Sequence, residues 1–243
     1  PLGDHRNHGG CDVSTPTTTS AAVSVLWELG GWIRPCDSHA CIEVHVGVSD
    51  VTIRDLTLRG WTATSDDILI NAIGSTRLAV LRVSLENAKG CGMQPEGVTD
   101  SLFEDVDILN TQFRDNGYHG VALWPYHGTS RNIYRRINID GADYAGIFCD
   151  AGTTVGTAAG VDDNIFENIV IRHAARKPLP NNAGIGAGWM LTGANRNRAT
   201  GWEITDQTLG AAVAFGVDQS GLGSTGNVFT EGVIARTPVT VSY

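Results

Sequence analysis

The chain is poor in positive charge, in cysteine and in long apolar runs, and each shortage excludes something. Lys and Arg number 17 against 26 Asp and Glu, a formal net charge of −9. Gripping nucleic acid or an anionic membrane needs clustered Lys and Arg, so neither partner is expected. No run approaches the ~18 apolar residues of a membrane-spanning helix. Five cysteines (11, 36, 41, 91 and 149) are too few for a disulfide scaffold in 243 residues. Cys36 and Cys41 bracket the loop CDSHAC and could close a small disulfide in an oxidising compartment. Cys91 and Cys149 sit in apolar runs suited to buried thiols. Cys11, Cys36 and Cys41 with His5, His8 and His39 match no closed zinc spacing. The apolar pattern of a long helix is missing throughout. The sequence opens at Pro1 with no signal peptide in view, so a preceding segment is expected to have been removed.

What the chain has in quantity is glycine, 30 residues, a residue costly inside regular elements and suited to tight turns. Beneath this lies a repeat. The segments VTIRDLTL (51–58), LAVLRVSL (78–85), SLFEDVDI (101–108), NIYRRINI (132–139), NIFENIVI (164–171), RATGWEIT (198–205) and NVFTEGVI (227–234) resemble one another. Aligned on Asp55, Arg82, Asp105, Arg136, Asn168, Gly201 and Glu231, they step by 27, 23, 31, 32, 33 and 30 residues. Apolar residues alternate near the end of each, as in Leu56 and Leu58, which marks a strand with one buried face. Second short apolar runs lie between them, mostly opened by glycine: DILIN (67–71), GCGMQ (90–94), GVALW (120–124), GIFCD (146–150), GIGAGW (184–189) and AVAFGV (212–217).

Repeats this thin cannot bury a face alone and must stack. A propeller blade needs about four strands and ~40 residues, and leucine-rich repeats need a fixed Leu/Asn signature; neither fits. A sandwich would not repeat one strand-glycine-strand phrase. The expected fold is all-β, a right-handed parallel β-helix of about seven coils. The phrase GΦxΦ … N-I-x-x-x-N-I-x-I resembles the pectate-lyase-like superfamily over about residues 42 to 236. That superfamily includes polysaccharide lyases, polygalacturonase-type hydrolases, uronan epimerases and bacteriophage tailspikes. The resemblance is specific for fold, while chemistry must be read from the site. Residues 1–41 do not repeat and are expected to form an N-terminal cap, residues 42–243 the β-helix. VTVSY (239–243) is strand-like and uncapped, so a continuing chain or a partner chain, as in trimeric tailspikes, is expected to cover that end.

In such a solenoid, equivalent positions on successive coils lie one strand spacing apart and form rows. The row opening the second strands reads Asp66/Asp67, Lys89/Gly90, Tyr118/His119, Tyr144/Ala145, Asn182/Ala183. The acidic pair of SDDILI and the glycine-flanked histidine of YHGV resemble the polygalacturonase-type hydrolases. The resemblance implies catalytic roles for Asp66, Asp67 and His119, with carboxylates as general acid and general base. Those enzymes carry a further carboxylate on the preceding coil, and HACIEVHV offers only Glu43, off the opening position. The plainer reading of TSDD is turn chemistry, and of His119 a surface residue where a coil begins. A lyase would instead need a cation beside a uronate and a base. Arg131, Arg135, Arg136, Tyr126 and His127 share one coil, with Arg135 and Arg136 on opposite faces of a regular strand. No cofactor or metal site is assigned; calcium, used by many related lyases, enters only if the protein is a lyase, and Asp162 and Asp163 alone do not make a site.

The stretch DNGYHGVALWPYHG (115–128) concentrates the remaining candidates. Alternation places Val121 and Leu123 inward, Ala122 and Trp124 outward, and an exposed indole is a platform for a sugar ring. Lys89, Tyr118, Trp124, Tyr126, His127, Asp150 and Trp189 are the expected substrate-binding residues. Two functions compete. One is an extracellular, carbohydrate-active protein that binds and cleaves a polysaccharide by hydrolysis or β-elimination. The other is a non-catalytic tailspike or surface-fibre module that binds host glycans. An ice-binding surface would need a flat threonine array, which TPTTTS and DVTIRDLTL do not provide.

Overall fold

The computed structural model describes residues 11–13, 40–60, 67–114, 119–152, 159–178, 186–216, 223–237 and 239–242. Among these there is strand and turn but no helix, hence none long and apolar enough to cross a membrane. All the strand ladders are parallel, and they form two long walls. The first wall has nine strands, among them Ala40–Val44, Asp67–Ile73, Gly90–Glu96, Val121–Leu123, Ala145–Asp150, Ala187–Thr192 and Ala211–Gly216. The second has ten, beginning with Thr52–Arg59, Ala79–Glu86, Leu102–Thr111 and Ile133–Ala142. From Ala40–Val44 to Ala145–Asp150 the strands of the two walls alternate along the chain, which winds as a parallel β-helix. Most of the expected cap falls outside the described residues, Cys36 included. Within it, Cys11–Val13 adds a strand to the first wall, Cys11 pairing with Ile42.

The second wall explains the repeat. Leu56 pairs with Val83, Val83 with Val106, Val106 with Ile137, Ile139 with Ile171, Ile171 with Ile204 and Ile204 with Ile234. These are the steps read from the sequence. The alignment column itself is a row of left-handed backbone: Asp55, Arg82, Asp105, Arg136, Asn168 and Glu231 have φ between 52° and 58°, and Gly201 has 64°. An L-residue pays for this conformation, Asn and Asp least. The kink makes Ile53 and Leu56, three apart, both face the core, where regular alternation would put Leu56 outside. It also overturns the expectation for Arg135 and Arg136. Both project outward: Arg135 onto Glu167 at 2.6 Å, Arg136 onto Asp105 at 2.5 Å and Glu104 at 2.9 Å.

A second left-handed row turns the corner before this wall, through Asp50, Arg77, Asp100, Arg131, Asp163 and Arg196. Its alternating charges pair along the axis: Arg77 with Asp50 at 2.6 Å, Arg131 with Asp100 at 2.8 Å, Arg196 with Asp163 at 2.8 Å. The same corner is held from inside, one residue further on, by a column of buried amides. Asn132, Asn164 and Asn197 each accept, through Oδ1, the backbone N–H of the residue one coil earlier: Ser101, Asn132 and Asn164. Asn227 does the same for Asn197. Each Nδ2 donates to a carbonyl of the earlier coil, Asn164 to Thr129 at 3.1 Å. Side chains thus supply the hydrogen bonds that a turn denies the backbone.

The interior is filled by rows of like residues. One runs Ile53, Val80, Phe103, Tyr134, Phe166, Ala199, Phe229. Its three central rings stack with centroids 4.7 Å apart and planes within 10°, matching the strand spacing. Ala199 leaves a gap in this row, and Trp189 fills it from the opposite wall, 4.8 Å from Phe166 and 5.0 Å from Phe229. Trp189, expected as a sugar platform, is therefore a core residue, 1% exposed.

Two outcomes follow. Replacing Asn164 by Ala strands the Asn132 N–H and the Thr129 carbonyl; unfolding free energy in urea should fall by about 3 kcal/mol. The second concerns acid. Hydrogen bonds from Arg77 and Arg236 hold the Asp50 and Asp206 carboxyls down to about 2. Arg82, Arg131, Arg136 and Arg196 likewise lower Asp55, Asp100, Asp105 and Asp163. Lowered carboxyls stabilise the fold above their unfolded value and stop doing so as they protonate. The melting temperature should hold on the neutral side and drop as pH falls from about 4 to 2. Added salt near 1 M should shrink the contribution, since the pairs are exposed.

Candidate functional site

The outer face of the first wall is where unusual chemistry collects. Its strands pair in register through Ile70, Met93, Leu123, Ile147, Trp189 and Val213, all inward. The preceding position also faces in. A Cβ on Gly92 would lie 2.5 Å from Ile108 Cγ2, and one on Gly146 2.5 Å from Ile171 Cγ2. Two successive inward residues break the alternation and correct one expectation. Ala122 and Leu123 belong to the core, while Val121 sits on the outer side with Ile68, Cys91 and Ala145. These small apolar residues form the floor beneath Trp124, Tyr144, Phe148 and Met190.

Above that floor the aromatic side chains form a continuous patch. Trp124 and Phe148, on adjacent strands, are parallel within 4° at 6.0 Å. His119 leans on Trp124 at 4.8 Å, Tyr126 meets it at 5.2 Å, and Tyr144 stands edge-on to Phe148 at 6.2 Å. All are half-buried, so ring faces and edges remain open to a ligand. Along one margin of the patch, Glu96, Tyr126 and Asp150 occupy three successive strands, each bridged to the next. The turn after Tyr126 is fixed by Thr129, whose hydroxyl donates to the Pro95 carbonyl at 2.8 Å. His127 Nδ1 lies 4.0 Å from Glu96 Oε1. Asp150 is 6% exposed and accepts the Gly152 N–H at 3.0 Å. Burial first, then the charges of Asp150 and Glu96, raise the Tyr126 phenol above its ordinary value. Burial and Asp150 do the same for Tyr144. Both tyrosines are thus neutral hydrogen-bond donors at neutral pH.

The opposite margin is clamped by Asp143, whose side chain is 1% exposed. It accepts the Phe113 N–H at 3.1 Å, Arg176 at 2.8 Å and Lys177 at 2.7 Å. Arg176 also donates to Asn110 Oδ1 and the Thr111 carbonyl. Gly120, at φ 74°, passes with its Cα against this group; a Cβ there would be 3.2 Å from Asp143 Cβ. Both stems of the segment joining Thr111 to Gly120 are thereby tied to the next coils.

The expected site residues distribute as follows. Asp66 and Tyr118 lie outside the described residues. Asp67 opens its strand and pairs with Gly90, but its side chain is likewise outside them. The residue over Gly90 on the next coil is Gly120, which donates to the Gly90 carbonyl at 2.7 Å. His119 therefore stands one step off that row, at φ 70°. Lys89 bridges to Gln112 rather than to His119, which bridges to Phe113. Trp124, Tyr126, His127 and Asp150 are brought together; Trp189 is not. Nor are the arginines of the lyase reading. Arg131, Arg135 and Arg136 are engaged in ion pairs at the second wall and its corner, away from Tyr126 and His127. Sequence reasoning missed Glu96, Asp143, Phe148 and Met190. The signal for the last two was the glycine in GIFCD and GWM, which sets Phe148 and Met190 level with Trp124. Among the described residues no group of three or more His, Cys, Asp or Glu is placed to hold a metal ion.

No protein-family model matches the chain, and no curated protein sequence matches it. Two solved viral structures share its architecture. One is the enzymatically active domain of tailspike protein 2 of bacteriophage CBA120, 10% identical, TM-score 0.50, aligned over 92% of this chain and 27% of that one. The other is the ORF18 protein of Geobacillus virus E2, 12% identical, TM-score 0.51, over 83% of this chain and 46% of that one. The chain spans less than half the length of either. The likeness shows the fold, a right-handed parallel β-helix.

The Asp143 clamp is open to test. Asp143→Ala leaves the Phe113 N–H, Arg176 and Lys177 without their acceptor; both cations reach solvent, so stability should fall by about 1–3 kcal/mol. The amide of Phe113 should exchange faster in the variant than the core amide of Tyr134 does, by hydrogen-exchange NMR.

Proposed function

We propose that the chain is an extracellular, carbohydrate-active β-helix that binds a polysaccharide on the outer face of its first wall and cleaves it there. One observation carries this reading: a patch of Trp124, Tyr126, Tyr144 and Phe148 with Glu96 and Asp150 on either side of Tyr126. Aromatic faces match the apolar faces of pyranose rings, and phenol groups and carboxylates match their hydroxyls. The solved tailspike domain with this fold is described as enzymatically active, which supports cleavage here.

For the chemistry we assign Glu96 and Asp150 as the pair. Their backbones are two strand spacings apart, about 9.6 Å. Side chains leaning toward Tyr126 would bring the carboxyls into the ~6.5–9.5 Å range that leaves room for a water in an inverting hydrolysis. One protonates the departing oxygen while the other takes a proton from the water. Tyr126 and His127, between and beside them, orient the sugar. Hydrolysis is preferred to β-elimination because the nearest arginine-rich segment is spent on ion pairs elsewhere.

A second reading rests on one observation, the near-complete burial of Asp150. In it the face binds glycan without cutting, as the shaft of a tailspike-type fibre, and the protein assembles as a homotrimer. The experiment separates the two. Trp124→Ala should weaken glycan binding by about tenfold or more. Glu96→Gln and Asp150→Asn should keep binding and lower release of reducing ends by about a hundredfold or more. If wild type binds but releases no ends, and light scattering gives three chains, the fibre reading replaces the enzyme.

A further inference from the structure

The row that holds Trp124 does not stop at the aromatic patch. Counting strand by strand through the first wall, it runs Glu43, Asn71, Gln94, Trp124, Phe148, Met190. The order is not mixed. Three carboxyl or carboxamide side chains occupy the earlier strands and three stacking or apolar ones the later strands. All six sit at outward positions, since their neighbours Ile70, Met93, Leu123, Ile147 and Trp189 face the core; Gln94, 9% exposed, is the most covered of them and the others are half-buried.

Two polar atoms in this row have no hydrogen-bond partner although they are buried: the acceptor Asn71 Oδ1 and the donor Trp124 Nε1. An unmet buried polar group is costly, and native proteins keep few of them. Here one is an acceptor and the other a donor, on one line, with the amide of Gln94 between. A hydroxyl group is both donor and acceptor, and a chain of hydroxyl-bearing rings presents such groups at regular intervals. Strands 4.7–4.9 Å apart repeat at about the advance of one pyranose unit along an extended chain.

We infer that Asn71 and Gln94, with Glu43 beyond them, form an extended hydroxyl-reading subsite that continues the aromatic patch, so that the bound glycan lies along the helix axis and spans about six strands. Rings stack on Trp124 and Phe148 at one end, and carboxamides choose among hydroxyl configurations at the other. The terminal amide of Asn71 turns its acceptor toward the arriving hydroxyl. Specificity resides there, because stacking tolerates most sugars whereas an unmatched hydrogen bond is penalised. This rests on the proposed glycan-binding role of the patch and adds the length, direction and selecting residues of its ligand.

The test uses the strongest binder from an array of uronan, glucan, capsular and O-antigen oligosaccharides, cut into a series from dimer to octamer. Affinity should rise with length through the hexamer. Asn71→Leu and Gln94→Ala should each weaken the hexamer about fivefold to tenfold and leave the trimer unchanged, while Trp124→Ala weakens both. Asn71→Leu also removes an unmet acceptor, so its melting temperature should hold or rise. A gain in stability with a loss confined to long oligomers is a signature that a structural role does not produce. Equal losses on trimer and hexamer, or no loss on either, overturn the subsite while the patch stands if Trp124→Ala still weakens binding. If Trp124→Ala changes nothing, or no oligosaccharide binds, the patch reading fails and the subsite with it.

Discussion

The structure depends on backbone pairing between consecutive coils, in parallel and in fixed register. Each coil is the template for the next, so whatever chemistry satisfies a turn once must satisfy it again one strand spacing along. That constraint explains why like residues meet like. The buried amides of Asn132, Asn164 and Asn197 close one corner by passing the same two hydrogen bonds from coil to coil. The outer side of the same corner adopts left-handed backbone instead. Its left-handed residues carry alternating Asp and Arg that pair along the axis. The buried side of the corner is held by neutral amides and the exposed side by charges, as the cost of desolvating an ion requires.

Register also governs volume. A row of side chains can stack only as closely as the strands, and rings at 4.7 Å meet that limit. Where one wall supplies bulk the other must withdraw: glycine stands inward at positions 92, 146 and 188 because Ile108, Ile171 and Ile204 reach across. Where one wall withdraws, at Ala199, Trp189 crosses over. Of the glycines that open second runs in the sequence, Gly146 is thus a packing residue of the interior, as Gly92 and Gly188 are within theirs.

This separates what could be read in the sequence from what could not. The fold was legible because the second wall repeats its own pattern, and even its left-handed row was the column on which the segments align. The first wall was less legible. Its strands have two successive inward residues, so strict alternation put Val121 inside and Ala122 outside. The error stopped there, since the doubled inward step leaves Leu123 inside and Trp124 outside as expected. Gln112 bridges to Lys89 and Gly120 lies over Gly90, so the expected row of Lys89 and His119 was off by one. Trp189 looked like a second platform because a tryptophan beside a turn is the same in one dimension whether it faces in or out. Its burial is set by Ala199 on the other wall, a fact no local pattern contains.

The same logic bears on where function can sit. The arginine-rich coil NIYRRINI was attractive as a source of cations for catalysis. In the solenoid its arginines complete ladders begun by Glu104, Asp105 and Asp100 a coil earlier. Charge repeated along the axis belongs to the scaffold, since every coil needs it. What distinguishes a site is a departure from repetition. The outer row of the first wall changes from carboxamide to aromatic within one molecule, and Glu96, Tyr126 and Asp150 follow one another as three different residues on one line. A scaffold gains nothing from such variation; a ligand with distinct ends does.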